Sequence, residues 1–138
     1  MNEQQILDAL AGLTLFSDLD RPQLQAVAHT MSEESFPAGQ RILRQGFSGG
    51  GFFVILEGEV SVRVDDHDVA NLAKGDFFGE ISLLLGEPPI ADVVALSPVN
   101  ALQLGGPDLR EFLLTYPTVM YRMLQAVSRR LDRANRRG

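Results

Sequence analysis

The stretch of the chain best suited to chemistry runs from Gly75 to Val93. A Gly-Asp turn and two phenylalanines lead to Gly79, and Glu80 then opens a short apolar segment that Gly86 closes. This pattern predicts a strand end, a tight turn, a short helix, a loop and a new strand. A helix that begins just after a glycine presents free backbone N–H groups, which suit an anion. The stretch is therefore a candidate anion-binding site.

Catalysis and metal binding have few residues to draw on. The chain has no cysteine, and its histidines are His29 and His67. A thiolate metal site is excluded, and a histidine cluster is not available. The run Asp65–Asp68 (Asp-Asp-His-Asp) lacks the alternating ligands of a calcium loop, so a solvated hairpin turn is the favoured interpretation. We expect a chain that is not an enzyme and that holds no metal.

A glycine-rich segment, Gly46–Gly51, resembles a phosphate-binding loop in composition only. It lacks the Gly-Lys-Ser/Thr ending, and it leads into a predicted strand rather than a helix. We interpret it as a loop between strands.

Length and composition indicate one globular domain. The 138 residues are 45% hydrophobic and 22% charged, which suffices for a single core. No apolar run approaches the roughly 18–20 residues that span a bilayer, and the N-terminus lacks the features of a signal peptide. These features predict no membrane association, and the absence of cysteine makes the reducing cytoplasm the expected location.

The charge is unevenly distributed along the chain. Residues 122–138 contain six arginines and one acidic residue, while residues 1–121 contain six basic and seventeen acidic ones. The acidic body should repel nucleic acid, and the positive end can be explained by the dipole of a final helix. Since no helix-turn-helix follows, we predict no DNA-binding domain in this chain.

The candidate site must be positioned by short strands that are bracketed by helices. Helices are predicted over residues 3–11, after the cap Asp20, after Pro107 and from Pro117 to about Arg137. Between them, about eight short strands punctuated by glycines predict a jelly-roll-like β-barrel. We expect an α+β single domain over 1–138: a helical part at 1–33, a β-roll at 34–105 that contains the stretch 75–93, and C-terminal helices at 106–138.

In its central stretch the sequence resembles the cyclic-nucleotide-binding domain family. That family includes catabolite-activator-type regulators, protein kinase A regulatory subunits and cyclic-nucleotide-gated channels. Its markers appear in order along nearly the whole chain: Leu15-Phe16, Phe36-Pro-Ala-Gly39, the Gly46 loop, Phe53–Val60, Gly75–Leu84, Leu109–Tyr116 and Pro117–Arg137. The resemblance implies the family's β-roll with flanking helices.

The resemblance also implies a ligand site, the family's phosphate-binding cassette. Its counterparts here are Phe78, Gly79, Glu80, Ile81, Ser82, Pro89, Ile90 and Ala91. In the family, backbone N–H groups of the segment matching 79–82 meet the cyclic phosphate, and the glutamate matching Glu80 accepts from the ribose 2′-hydroxyl. The family's Pro-Arg-Ser/Thr-Ala stands here as Pro88-Pro89-Ile90-Ala91, so Pro89 replaces the arginine that pairs with the phosphate and Ile90 replaces the hydroxyl.

This replacement predicts a loss of affinity. A charge-assisted hydrogen bond to phosphate contributes roughly 1.5–3 kcal/mol, and no Lys or Arg occurs between Lys74 and Arg110 to substitute locally. Affinity for cAMP or cGMP should fall by at least about one to two orders of magnitude. The favoured function is a non-catalytic regulatory or interaction module without a cofactor. The alternative is a true sensor of cAMP, cGMP or cyclic di-GMP, with the cyclic nucleotide as its ligand.

The final helix carries a candidate dimer interface. Met120, Leu124, Val127 and Leu131 are separated by alternating steps of four and three, as in a heptad seam. An adjacent stripe begins with Val119 and can pack on the domain itself. We therefore predict a homodimer through this helix, and a protein partner is also possible.

Overall fold

The fold is known from a computed structural model that describes residues 1–47 and 50–137. Ser48 and Gly49, which belong to the predicted glycine-rich loop, lie outside the described residues, as does Gly138. The helices are α1 (Glu3–Ala11), α2 (Arg21–Thr30), α3 (Glu80–Leu85), α4 (Leu109–Thr115) and α5 (Pro117–Arg137), with 3-10 helices at Thr14–Phe16 and Gly106–Asp108. The strands are β1 (Ser32–Phe36), β2 (Arg41–Leu43), β3 (Gly51–Glu57), β4 (Val60–Val64), β5 (His67–Leu72), β6 (Phe77–Phe78), β7 (Asp92–Ala95) and β8 (Val99–Gly105).

The strands form two antiparallel four-stranded sheets. Their orders are β1-β8-β3-β6 and β2-β7-β4-β5. The sheets do not close into a continuous barrel, but with the helices at both ends of the chain they give the predicted α+β architecture, a β-roll followed by a long C-terminal helix.

Strand β3 joins the two parts of the core. Phe52 and Val54 pack with residues of the N- and C-terminal helices, whereas Phe53 and Ile55 pack in the cluster that links the two sheets. Because successive side chains of a strand point to opposite faces, β3 is buried on both sides and reads as a continuous apolar run.

The N-terminal helices begin where the sequence predicts. Asn2 and Asp20 each form a capping box, with Gln5 and Gln23 respectively. Pro22 lies in the first turn of α2, where its missing N–H costs nothing. None of the helices within the described ranges combines the length and apolar character needed to cross a membrane.

Two strands differ from the prediction. Strand β1 is not predicted, because Ser-Glu-Glu-Ser-Phe lacks an apolar alternation; it forms by pairing with β8 at the sheet edge. Strand β5 begins at His67, within the run Asp65–Asp68 predicted as the hairpin turn, because Asp65 and Asp66, with φ of 51° and 64°, complete the turn by themselves. Two consecutive residues with positive φ are typical of the tight turn of a hairpin.

Candidate functional site

The eight residues predicted from the cassette pattern all line one cavity of about 210 Å³, here called the cassette pocket. Phe78 to Ser82 come from the end of β6 and the start of α3, and Pro89 to Ala91 come from the loop before β7. The facing wall is formed by apolar side chains of β2, β4, β5 and β7, and Arg130 of α5 closes the lining. The structure thus brings together the residues that the sequence analysis grouped.

Gly79 has a backbone conformation that only glycine accommodates here. Its φ is 93°, and it is the N-cap of α3. A Cβ at this position would collide with the backbone carbonyl oxygen of Gly51 on β3. Positive φ is costly for residues with a Cβ, and backbone cannot move aside as a flexible side chain can. Packing of the sheet against the cassette therefore requires this glycine, with or without a ligand.

The loop before β7 is held differently. Pro89 is buried, and its carbonyl oxygen accepts a hydrogen bond of 2.8 Å from the N–H of Gly46. Ile90 lines the pocket but is 49% exposed. The position that carries an arginine in the resembled family is thus filled by a compact apolar ring, and the hydroxyl position by an aliphatic side chain.

Glu80 is a buried carboxylate with one cationic partner. The residue is 3% exposed, and its Oε1 lies 3.2 Å from Nη1 of Arg130. Burial raises the pKa of Glu80 above its ordinary value, while the charge of Arg130 acts in the opposite direction. The Glu80 side chain is held by an ion pair with Arg130, which lies 50 positions further along the chain, rather than by a local helix cap.

Arg130 is tied to the cassette at three points. Besides pairing with Glu80, its Nη2 donates a hydrogen bond of 2.7 Å to the backbone carbonyl of Phe77. Its guanidinium carbon also lies 4.4 Å from the centroid of the Phe77 ring, within the range of a cation–π contact. Arg130 therefore fixes α5 against the start of the cassette.

This role of Arg130 was not predicted from the sequence, where the helix dipole was sufficient to explain the arginines of the final helix. A signal was nevertheless available, because Arg130 continues the stripe Val119, Met123, Ala126 with a further step of four. Val119 and Met123 are buried in the core, so the next residue on that face must also lie against the domain.

The other apolar stripe of α5 behaves differently. Leu124 and Leu131 are each 61% exposed, and Met120 is 40% exposed. Val127, also in the predicted seam, is partly buried against the domain's own core. Most of the heptad seam therefore lies on the surface of the protomer.

The electrostatics of the cassette pocket follow from these contacts. Its polar end consists of Glu80 and Arg130, which neutralise each other, and its remaining walls are mainly apolar. Such a site can enclose an apolar ring system and can offer a carboxylate oxygen to a hydroxyl group. Around Pro89 the described lining provides no cation for an anionic group.

Comparison with known proteins identifies the family. The family model for the cyclic nucleotide-binding domain matches residues 33–116, which is more than half of the chain. A cyclic nucleotide-gated potassium channel of Rhizobium etli is 34% identical over 110 residues, covering 80% of this chain; the match spans 31% of the channel.

Solved structures show the same relationship. A cyclic nucleotide-binding domain from Methylobacillus flagellatus superimposes with a TM-score of 0.82 at 26% identity, covering 98% of this chain and 81% of that one. The regulatory subunit of a cAMP-independent protein kinase A from Trypanosoma cruzi, bound to guanosine, has a TM-score of 0.71 at 28% identity and covers 85% of this chain and 42% of that one. With its fold, its cassette geometry and the matched family model, the chain belongs to the cyclic nucleotide-binding domain family.

Proposed function

We propose that this chain is a non-catalytic regulatory domain in which binding of cAMP and cGMP is impaired. The observation that carries the proposal is the lining of the cassette pocket, where Pro89 and Ile90 stand in place of an arginine and a hydroxyl. Arg130, the cation among the described lining residues, is already bound to Glu80 and to the Phe77 carbonyl.

A cyclic phosphate entering this pocket has two unfavourable options. It can remain without a cation, which forgoes roughly 1.5–3 kcal/mol of charge-assisted hydrogen bonding. Alternatively it can draw Arg130 away from Glu80, which leaves a buried carboxylate without its partner. Either option lowers the affinity by at least about tenfold.

An uncharged nucleoside avoids both costs. It brings an apolar ring system for the pocket walls and hydroxyl groups for the Glu80 carboxylate, and it has no phosphate to neutralise. The Trypanosoma cruzi regulatory subunit described above, which is bound to guanosine, supports this ligand class. The alternative function is a sensor of cAMP, cGMP or cyclic di-GMP. It requires a cation near Pro89 that can pair with the phosphate of the ligand.

Calorimetry on the full chain distinguishes these functions. Guanosine, adenosine, cAMP, cGMP and cyclic di-GMP are titrated separately under one set of conditions. We expect each cyclic nucleotide to bind more weakly than the nucleoside that carries the same base. Low-micromolar binding of cAMP or cGMP would overturn the proposed impairment and favour the sensor. Binding of none of the five would leave the domain as a protein-interaction module.

We further propose that the domain acts as a homodimer through α5. The exposure of Met120, Leu124 and Leu131 at heptad spacing supports a second copy as the partner, because a seam of this kind packs against an equivalent seam. Light scattering should give a dimer mass for the wild type and a monomer mass for Leu124→Glu/Leu131→Glu. Leu114→Glu, which changes an exposed leucine of α4, is the control and should leave the dimer intact. A monomeric wild type at high concentration would contradict the proposal.

A further inference from the structure

A second cleft, separate from the cassette pocket, lies between the 3-10 helix Thr14–Phe16, the turn before β6 and α5. Its volume is about 360 Å³, within the range of small-molecule sites. Three cationic side chains line it: Lys74, Arg122 and Arg129. We call it the cation cleft.

The acidic groups near the cleft are engaged in other contacts. Asp76 is the acidic residue in its lining, and the Asp76 carboxylate accepts a hydrogen bond of 3.0 Å from the N–H of Ala73 within its own turn. Asp18 is bound by Arg122 through hydrogen bonds of 2.8 and 3.0 Å. Arg122 is therefore neutralised and held in place, and it forms a fixed wall of the cleft.

Lys74 and Arg129 differ from the cations of this protein that form ion pairs. The chain has 18 acidic and 12 basic residues, so carboxylates are in excess. Arg21, Arg41, Arg63, Arg122, Arg130 and Arg136 are each paired with one. Within the part of the chain that the structure describes, the side chains of Lys74 and Arg129 have no carboxylate partner, yet both line the same cleft.

With Arg122 paired to Asp18, the two cations Lys74 and Arg129 outnumber the one carboxylate of the lining, Asp76, so the cleft has a net positive charge that favours an anion. A cleft with a net charge of one sign concentrates counter-ions of the other, and a guanidinium matches the oxygen atoms of a phosphoryl group in bidentate geometry. An ammonium group adds a second, compact charge with three donors. We propose that the cation cleft is a binding site for the phosphoryl group of a small molecule, with Lys74 and Arg129 as its direct ligands.

This site is independent of the cassette pocket and of its proposed ligand. Of the residues that line the cation cleft, none belongs to the lining of the cassette pocket. The two sites approach each other at Phe77, which lines the cation cleft and contacts Arg130 through its ring and its carbonyl oxygen. The outcome of the nucleoside titrations therefore does not decide whether the cation cleft binds an anion.

The test is calorimetric titration of the full chain with pyrophosphate at low ionic strength, where exposed charges are least screened. Lys74→Gln and Arg129→Gln should each raise the Kd for pyrophosphate at least about fivefold, since each removes a charged contact. Arg133→Gln is the matched control: it removes the same charge from the same helix, outside the cleft, and should change the Kd less than about twofold. The three side chains are exposed, so the variants should fold, and thermal unfolding verifies this.

The site is localised by amide chemical shifts during the same titration. We expect the largest changes at residues 74–77 and near Arg129. Absence of saturable binding would overturn the proposal. So would an equal loss of affinity in Arg133→Gln, because that result would indicate general attraction to a basic helix. Shifts confined to Gly79 and Ser82 would place the anion in the cassette pocket and would also overturn it.

Discussion

The two halves of the central stretch are under different constraints. In the first half, Gly75–Gly86, Gly79 fits against the Gly51 carbonyl and Glu80 is buried against Arg130. In the second half, Glu87–Val93, Ile90 is about half exposed, and the contact of Pro89 with Gly46 uses its backbone oxygen. Packing therefore requires Gly79 and Glu80 in the first half, whereas the side chain of Ile90 in the second half can vary at little cost to the fold.

This difference determines what each half reveals about function. A family signature that the fold itself needs persists whether or not a ligand binds, so Gly79 and Glu80 establish membership of the family rather than an activity. The side chains at positions 89 and 90 line the pocket, and that of Ile90 is half exposed. Their identities therefore carry the information about the ligand.

Substitution of Gly79 should give the largest effect on stability. Gly79→Ala combines a positive φ with a collision against the Gly51 backbone, so we expect the free energy of unfolding to fall by at least about 3 kcal/mol. Gly86→Ala is the control: its φ is 67°, but no atom lies within 4 Å of the added Cβ. It should cost about 1 kcal/mol. Equal losses in urea unfolding would refute the role of the Gly51 contact.

Removal of Arg130 should have the next largest effect. Arg130→Met leaves the Glu80 carboxylate buried without its partner, and we expect a loss of about 2 kcal/mol, reduced from the fully buried case because the arginine side chain is 29% exposed. Arg136→Met, which breaks an exposed pair with Asp132, should cost less than about 0.5 kcal/mol. Comparable losses in the two variants would show that the pair with Glu80 contributes no more than a surface ion pair.

The cost of Arg130→Met should also depend on pH. The pKa of Glu80 is raised above 4.5 by burial, so the folded state holds this proton more tightly than the unfolded state. The contribution of Glu80 to the free energy of unfolding is most favourable at a pH below its pKa in the unfolded state, and it is lost as the pH rises through its pKa in the folded state. Without Arg130 the folded pKa rises further, so the difference in stability from the wild type should grow from pH about 4 to pH about 8. A difference that stays constant would indicate that Glu80 does not titrate in that interval.

Restoring the cassette residues should recover cyclic-nucleotide affinity. Pro89→Arg/Ile90→Ser supplies the cation and the hydroxyl, and it should lower the Kd for cAMP by at least about tenfold, equivalent to roughly 1.4 kcal/mol. The Kd for guanosine should change little, since guanosine has no phosphate to pair with the introduced guanidinium. Calorimetry with both ligands measures the contrast. No gain for cAMP would show that something other than the missing cation limits binding.

The smallest expected effect is that of Ile90→Ala on stability. Because the side chain is 49% exposed, the free energy of unfolding should change by less than about 1 kcal/mol. Chemical denaturation provides the measurement. A loss of unfolding free energy as large as that of Gly79→Ala would show that packing constrains Ile90 as strongly as Gly79.

Much of the fold could be predicted from local patterns. The caps at Asn2 and Asp20, and Pro117 at the start of α5, set boundaries through contacts within a few residues of sequence. Strand β1 could not be predicted this way, since its polar sequence becomes a strand only when β8 offers a paired edge.

Residue types and their order were enough to predict the family, the grouping of the cassette residues and the replacement of the family's arginine by Pro89. The partner of Glu80, in contrast, depends on how the chain packs. Arg130 lies 50 residues further along the chain, and its guanidinium reaches Glu80 and Phe77 only because the Val119 face of α5 is buried against the β-roll. An ion pair between distant residues depends on how helices and sheets pack, and no local pattern encodes that distance.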